Sequence, residues 1–168
     1  MKKETYVKMM DSVNSSPFIY NLVIWSDRIL TKAVYLAYPV FLIVLFMHRD
    51  AGLLRAVLVP GVSFVLVSVF RRICNAPRPY TVFDTPPVIK KETLGKSFPS
   101  RHIFSIFVIA ATVFRFYPAA GTVLGAAGIV MASARVAGGV HFPRDVIAGA
   151  AIGIICSVIG FAFWDSAV

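Results

Sequence analysis

The side chains best suited to phosphate chemistry occur in three clusters along an otherwise apolar chain. The clusters are Arg71 with Arg78-Pro79, then Pro99-Ser100-Arg101-His102, then Arg135 with His141 and Asp145. Guanidinium groups bind phosphate oxygens through paired hydrogen bonds. Histidine can act as a nucleophile or as an acid and base near neutral pH. If the clusters meet in space, they form an anion-binding site with acid–base chemistry.

The elements that carry these clusters are predicted to be membrane-spanning helices. The chain has 168 residues, of which 58% are hydrophobic and 15% are charged, whereas a soluble domain usually has about 25% charged residues. Its apolar blocks approach the length needed to cross a bilayer, about 20 residues per helix. They predict five crossings, at roughly 30–47, 52–70, 102–117, 119–137 and 146–164. The expected fold class is an all-α integral membrane helical bundle that forms a single domain over residues 1–168.

The N-terminal segment, residues 1–28, is predicted to lie at the membrane interface. Its charged start lacks the apolar core of a cleavable signal peptide. The stretch from Pro17 to about Leu30 mixes aromatic and aliphatic residues with Asn21, Asp27 and Arg28. That composition is typical of an interfacial amphipathic helix. A sixth crossing that begins in this stretch is the alternative.

The order of the crossings predicts that all three clusters lie on one membrane face. The second crossing ends at Arg71, and the third begins at His102. The fourth ends near Arg135, and the fifth begins after Pro143. Ends of even-numbered crossings and starts of odd-numbered ones share a side. Each arginine alone could simply anchor a helix end among lipid headgroups, so it is their joint occurrence on one face that favours a site.

Local signals and residue types then suggest roles. Ser100 is a suitable N-cap residue, which places His102 in the first turn of a helix, and Pro143 is favoured at a first helical position. Two helix N-termini would direct free N–H groups at a bound anion. Asp145, four residues after His141, would orient that imidazole as a nucleophile, and His102 would protonate the leaving group. The phosphate oxygens would be held by Arg71, Arg78, Ser100 and Arg135.

The three blocks resemble the signature of the phosphatidic acid phosphatase type 2 superfamily. That signature is Lys, six residues and Arg-Pro, then Pro-Ser-Gly-His, then Ser-Arg, five residues, His, three residues and Asp. The matching positions here are Arg71 with Arg78-Pro79, Pro99-Ser100-Arg101-His102, and Ala134-Arg135 with His141 and Asp145. The resemblance implies the same roles for His141, Asp145 and His102, and the same phosphate ligands. It also implies hydrolysis through a phosphohistidine, without a metal or another cofactor.

Three positions depart from the family pattern. Arg71 stands for Lys, Ala134 for Ser and Arg101 for Gly. Arg71 keeps the positive charge, and the hydroxyl lost at residue 134 can face away from the phosphate. Arg101 replaces a glycine that would allow close backbone approach, but its side chain adds a cation. The hypothesis is that Arg101 contacts the phosphate and favours a diphosphate headgroup.

The connection from Tyr80 to Phe98 is predicted to lie over the site, since loops of this length are often functional lids. Lys96 is the expected contact with the lipid headgroup, and the alternative is that the loop lysines only anchor it to headgroups. The formal net charge is +9. The basic residues are spread over membrane-flanking turns, so anionic lipid rather than nucleic acid is the expected partner.

Together these patterns predict an integral membrane phosphatase of a lipid phosphate or diphosphate. Candidate substrates are polyprenyl diphosphate, phosphatidic acid and phosphatidylglycerol phosphate. A lipid phosphotransferase is one alternative, and a non-catalytic protein that binds or translocates anionic lipid is another. The expected location is the bacterial cytoplasmic membrane. The face stays open, because the excess of Lys and Arg on the site side favours the cytoplasm, whereas many members of the resembled family act outside; the oligomeric state is open as well.

Overall fold

The computed structural model describes residues 1–167, and the side chains of residues 1–164. The described residues form seven helices and no strand, which confirms the all-α prediction. The helices are α1 (Lys3–Ser15), α2 (Pro17–Met47), α3 (Leu53–Cys74), α4 (Pro79–Phe83), α5 (Arg101–Phe116), α6 (Pro118–Ala137) and α7 (Pro143–Ala167).

The five predicted crossings correspond to α2, α3, α5, α6 and α7. Four of these helices, all except α5, are long and apolar enough to cross a membrane. Helix α5 has 16 residues, which is about 24 Å at 1.5 Å per residue. It packs against α7, α6 and α3, and Ile103, Phe104 and Ile106 are fully buried. Helix α5 is therefore the centre of the bundle, and its neighbours shield it from lipid.

The predicted boundary near Leu30, between an interfacial segment and the first crossing, is corrected by the structure. Helix α2 runs without a break over 31 residues, about 46 Å. The Ser16 hydroxyl caps it by accepting a hydrogen bond from the Ile19 backbone N–H at 3.4 Å. Asp27 and Arg28 do not end the helix, because a helix longer than the bilayer core can carry such residues at headgroup depth. Among the described residues, no separate helix corresponds to the alternative of a sixth crossing that begins in this stretch.

Helix α1 docks onto the segments that carry the site. Its buried face consists of Tyr6, Met10 and Val13. The Tyr6 hydroxyl lies 3.2 Å from the Gly139 carbonyl and 3.3 Å from the Thr85 carbonyl. Burial raises the pKa of Tyr6 to about 12, so the hydroxyl remains a donor at neutral pH. The N-terminal segment thus braces the loop after α4 and the turn between α6 and α7.

The outer surface of the bundle is strongly apolar. Phe46 is 70% exposed, Ile73 is 79% exposed and Phe163 is 73% exposed. A soluble monomer rarely presents contiguous apolar surface on this scale. Hydrocarbon is its natural solvent, which agrees with the four helices that are long and apolar enough to cross a membrane.

Two glycines of α7 allow it to make close contact with α5. A Cβ atom added at Gly149 would lie 2.7 Å from the Ser100 carbonyl oxygen, and one added at Gly153 would lie 2.7 Å from the Phe104 carbonyl oxygen. This contact places the start of α7 beside the start of α5. The two helix N-termini that carry Asp145 and His102 are therefore neighbours.

Candidate functional site

A buried network of polar side chains surrounds His141. His141 lies in the turn between α6 and α7, and Asp145 lies in the first turn of α7. The His141 Nδ1 atom is 3.6 Å from Asp145 Oδ2. That carboxylate oxygen accepts hydrogen bonds from the Ser97 hydroxyl at 2.5 Å and the Phe142 backbone N–H at 3.0 Å. Ser97 Oγ is also 3.4 Å from His141 Nδ1, so the imidazole has two polar neighbours on its Nδ1 side.

The protonation state of His141 follows from its burial. Only 1% of the residue is exposed. Burial lowers the pKa of His141 to about 4, and the charges of Arg78 and Arg135 act in the same direction, while the hydrogen bond to Asp145 opposes them. The imidazole is therefore neutral near pH 7 and retains a lone pair on one ring nitrogen.

A cavity of about 460 Å³ lies beside His141. Its polar and charged lining combines residues from α3, the link between α3 and α4, the loop after α4, α5 and the turn before α7. These residues are Ser68, Arg71, Arg72, Arg78, Lys91, Thr93, Lys96, Arg101, His102 and His141. Most of the predicted clusters thus reach one cavity, and its charged side chains are all basic.

Arg71 and Arg78 also hold the surrounding backbone. Arg71, at the end of α3, donates hydrogen bonds to the carbonyl groups of Lys96, Ser97 and Pro99. Arg78 donates from Nε to the Gly95 carbonyl at 3.1 Å and from Nη1 to the Val140 carbonyl at 3.0 Å. Both side chains are buried. The loop predicted to lie over the site begins as the short helix α4, and its last part is fixed in place by these two guanidinium groups.

Ser100 presents a hydroxyl group with no partner. It occupies the N-cap position of α5, as predicted, but its side chain makes no capping hydrogen bond. Its backbone N–H donates to the Asp145 carbonyl at 2.9 Å. The hydroxyl oxygen is buried without a hydrogen-bond partner. Such orphaned groups are costly in a folded protein, and a bound phosphate oxygen would satisfy this one.

Arg101 and Lys96 are exposed residues that line the same cavity. The Arg101 guanidinium carbon lies over the Phe64 ring, 5.6 Å from its centroid. The Arg101 side chain, at the position where the resembled family has glycine, thus packs against Phe64 of α3 at the wall of the cavity.

Arg135, in the last turn of α6, forms an ion pair with α2. Its Nη2 atom is 2.8 Å from Asp27 Oδ1 on α2. Arg135 lines a second cavity of about 580 Å³, which His102 also lines. Arg135 thus pairs with a carboxylate from α2 at the wall of the second cavity, while its charge still acts on His141 and on Arg78.

Sequence reasoning missed Asp27, Ser97 and Lys91 as members of the site. Asp27 could have been recognised, since a carboxylate within an apolar helix is by default a functional candidate. Ser97 carries no such signal, because its partner Asp145 is 48 residues away. Lys91 is one of the loop lysines, which the sequence places either in contact with the lipid head or as anchors among headgroups. Among the residues that the structure describes, no group of three or more His, Cys, Asp and Glu side chains could hold a metal ion.

Comparisons with known proteins concern the family and the fold of the chain. The family model described as PAP2 superfamily matches residues 52–167. The chain is 28% identical over 129 residues to the bacitracin transport permease protein BcrC of Bacillus licheniformis, an alignment that covers 74% of this chain and 63% of that relative. The chain thus matches less than two thirds of that relative's length.

Two crystal structures share the fold. LpxE of Aquifex aeolicus is 26% identical, with a TM-score of 0.74 over 95% of this chain and 93% of that one. The first transmembrane PAP2 type phosphatidylglycerolphosphate phosphatase from Bacillus subtilis is 20% identical, with a TM-score of 0.62 over 96% of this chain and 93% of that one. The second likeness concerns the fold alone.

Proposed function

Because the chain belongs to the PAP2 superfamily, we propose that it is an integral membrane lipid phosphatase. It hydrolyses a phosphate or diphosphate monoester of a lipid through a phosphohistidine at His141. One observation carries the proposal: His141 is buried, neutral and held against Asp145 and Ser97 at the wall of a basic cavity. A neutral imidazole in a fixed orientation can attack phosphorus.

The reaction proceeds in two steps. In the first, the free ring nitrogen of His141 forms a bond to phosphorus while the bond to the leaving oxygen breaks, and His102 gives that oxygen a proton. Asp145 stabilises the positive charge that develops on the imidazole. In the second step, a water molecule gives a proton to His102 and its oxygen attacks phosphorus. Inorganic phosphate leaves, and His141 regains its electron pair.

The phosphoryl oxygens are bound by the basic lining. Arg71, Arg78 and the unpartnered Ser100 hydroxyl hold them from one side, while Lys91 and Arg101 contribute charge from the other. Most of the catalytic effect in phosphoryl transfer comes from positioning and charge stabilisation. The bonds of Arg71 and Arg78 to backbone carbonyls keep these groups in place before substrate arrives.

The surroundings of the cavity favour a lipid over a soluble phosphate ester. Phe64, Val65 and Val69 of α3 line the same cavity and are also exposed on the outer apolar surface. A lipid phosphate can therefore enter from the side, with its chain still in the bilayer. The exposed Lys96 is positioned to contact the headgroup.

The test is phosphate release by the detergent-purified protein in the presence of EDTA. The substrates are polyprenyl diphosphate, phosphatidic acid and phosphatidylglycerol phosphate, and the control is His141→Ala. Release that survives EDTA and requires His141 supports the proposal. Product that appears only with an added alcohol acceptor would indicate a phosphotransferase.

A binding or transport function is the remaining outcome. The name of the Bacillus licheniformis relative describes a permease, so the same preparation is also assayed for lipid binding and for lipid movement across vesicles. Lipid that is bound or moved without any phosphate release would overturn the phosphatase proposal.

A further inference from the structure

His102 forms part of the wall of two cavities. The first cavity is the basic one that contains His141, and the second lies between α2, the end of α6 and the loop around Ile89. The polar and charged residues of the second cavity are Tyr20, Asp27, Arg28, Thr31, Lys32, Lys90, His102 and Arg135. The reaction steps described above take place in the first cavity, so the second cavity has no role in them.

One face of α2 forms a wall of the second cavity and leads toward His102. Four α2 residues line the cavity at intervals of four, three and four positions, namely Tyr20, Ile24, Asp27 and Thr31. Residues at this spacing lie on one face of a helix, and from first to last they span about 16 Å. Tyr20 is 37% exposed and precedes Asp27, which lies at headgroup depth. Thr31 and His102 line a common small void of about 20 Å³. The second cavity therefore extends from the membrane interface to His102.

The second cavity is strongly basic. Four cationic side chains line it against the single carboxylate of Asp27, for a formal charge of +3, and the cations are Arg28, Lys32, Lys90 and Arg135. The Asp27 carboxylate is paired with Arg135 at 2.8 Å. The side chains of Arg28, Lys32 and Lys90 are exposed. They are the charges that a small anion would meet between the interior of the cavity and water.

Two buried polar groups of this cavity have no hydrogen-bond partner. They are the Thr31 hydroxyl and the Nε atom of Arg135. Arg135 is only 4% exposed, and its charge acts on His141. Buried polar groups without a partner are costly, and a water molecule or a phosphate oxygen would satisfy both. The second cavity is therefore suited to water and to phosphate, which are the small reactant and the small product of hydrolysis.

The two steps of the proposed reaction need different routes for lipid and for water. In phosphoryl transfer the attacking and leaving atoms lie roughly in line on opposite sides of phosphorus. The lipid oxygen therefore leaves, and water later attacks, on the side of phosphorus away from His141, where His102 serves both. The dephosphorylated lipid departs along Phe64 and Val65 of α3, where its chain entered. That apolar path does not suit water or a charged phosphate, whereas the second cavity reaches His102 from the membrane interface.

We propose that the second cavity is the route by which water reaches His102 and inorganic phosphate leaves, and that its basic side chains bind the phosphate on its way out. This inference rests on the proposed function and adds a product site to it. It applies to any lipid substrate, because the second cavity receives only the phosphate. A lipid headgroup presents the same phosphate chemistry, and the experiments distinguish the two sources.

The hydrolysis step balances with water as its only reactant. The water oxygen forms a bond to phosphorus while the P–N bond breaks, and the electron pair of that bond returns to the His141 ring nitrogen. One proton of the water passes to His102 and replaces the proton that His102 gave to the leaving oxygen. The product is hydrogen phosphate, a dianion, and the cationic side chains of the second cavity offset its charge.

The first experiment determines whether phosphate binds while the first cavity is occupied. Equilibrium binding of radiolabelled inorganic phosphate to the detergent-purified protein is measured with and without saturating farnesyl phosphonate, which cannot be hydrolysed. Phosphate should stay bound in the presence of the phosphonate. The Lys32→Gln/Lys90→Gln variant should bind it about tenfold or more weakly, since charge-assisted contacts are lost. Complete displacement of phosphate by farnesyl phosphonate would overturn the inference.

The second experiment separates phosphate release from lipid binding. With farnesyl phosphate as substrate, kcat/KM depends on the steps up to cleavage of the lipid phosphate bond, whereas kcat also includes hydrolysis and phosphate release. The charge reversal Lys32→Glu/Lys90→Glu should therefore lower kcat about tenfold or more and change kcat/KM by less than about threefold. It should also produce a burst of farnesol in the first turnover. Equal losses of kcat and kcat/KM without a burst would contradict the proposed route.

The matched control is Lys3→Glu/Lys8→Glu, which makes the same change of charge at exposed positions of α1. It should leave phosphate binding, kcat and kcat/KM unchanged. The binding measurement is repeated with added phosphatidylglycerol in the presence of farnesyl phosphonate. If that anionic lipid displaces the phosphate, the second cavity is a site for lipid headgroups, and the inference is wrong.

The inference and the proposed function fail on different results. A wild type that releases no phosphate from any lipid overturns the phosphatase proposal, whatever the binding measurement shows. A wild type that releases phosphate from lipid, but binds none beside farnesyl phosphonate, overturns only the product site in the second cavity.

Discussion

Ser97 joins the two residues on which the proposed chemistry depends. Its hydroxyl donates to Asp145 Oδ2 at 2.5 Å and lies 3.4 Å from His141 Nδ1. Ser97 is fully buried, so water cannot replace the lost contact. We assign it as a positioning residue, which acts on His141 through Asp145 and does not contact the phosphate.

Replacement of Ser97 by Ala is expected to lower kcat about tenfold or more with little change in KM. A hydrogen bond to a charged group contributes about 1.5–3 kcal/mol, and about 1.4 kcal/mol is a factor of ten in rate. Rates over a pH series should also show a displaced acid limb, which a purely structural defect would not produce. Ser97→Thr should recover part of the rate. Ser133→Ala, at an exposed hydroxyl on α6, is the control, and an equal loss there would contradict the assignment.

The charge of Lys91 predicts an alkaline limit on activity. Burial lowers the pKa of Lys91 to about 8, and the charges of Arg135 and Arg78 add to the effect. The side chain is therefore cationic below about pH 8 and loses its charge as the pH rises further. Since kcat/KM reports the free enzyme, it should fall above that pH. The Lys91→Arg variant should remain active at higher pH. The Lys91→Gln variant should have a lower kcat/KM at every pH and should not show the alkaline decrease. If the wild type and both variants lose activity over the same alkaline range, Lys91 is not the group responsible.

Some of these site residues could be predicted from the sequence, and others could not. Within each cluster, the spacing follows from a single turn or helix end, as with His141 and Asp145, so it could be recognised without a structure. Contacts between distant segments leave no such pattern. The Asp27–Arg135 pair and the Ser97–Asp145 bond join separate elements, and only the folded bundle brings them together.

At the scale of elements, hydropathy predicted where the long helices lie but not where α2 begins. A window of apolar residues detects the part of a helix inside the bilayer. Helix α2 continues beyond that depth through Asp27 and Arg28, because its first cap is at Ser16. The same extension brings Asp27 to Arg135. The error in the predicted boundary and the failure to assign Asp27 to the site therefore have one cause.

The contact between α5 and α7 should be sensitive to a single methyl group. Gly149→Ala places a Cβ atom 2.7 Å from the Ser100 carbonyl oxygen, so the helices must separate at the site. Overpacking of this kind costs about 1–3 kcal/mol, and we expect a lower Tm in detergent together with reduced phosphate release. At Gly125 an added Cβ would meet nothing within 4 Å, so Gly125→Ala is the matched control. Equal stability of the two variants would contradict the tight contact.

At the scale of the whole molecule, the chemistry is concentrated at one end of an apolar bundle. The turn between α2 and α3, residues 48–52, and the loop after α4 lie at opposite ends of the bundle, because the long helix α3 runs between them. With α2 as a single crossing, the N-terminus shares a side with that loop. A separate sixth crossing before residue 30 would have placed the N-terminus on the other side, so membrane sidedness distinguishes the two arrangements.

Cysteine labelling in sealed vesicles can measure this sidedness. In a background with Cys74→Ser and Cys156→Ala, single cysteines are introduced by Lys3→Cys, Arg49→Cys and Glu92→Cys, all at exposed positions. Helix α2 as one continuous crossing predicts that Lys3→Cys and Glu92→Cys react with a membrane-impermeant maleimide under the same conditions. Arg49→Cys should react only when the opposite face is accessible, and detergent should expose all three. If Lys3→Cys and Arg49→Cys react from the same face, another crossing must lie between residues 3 and 49. That result would refute α2 as one continuous crossing. Because Glu92 lies in the loop beside the first cavity, its labelling pattern also identifies the membrane face on which the lipid headgroup is bound.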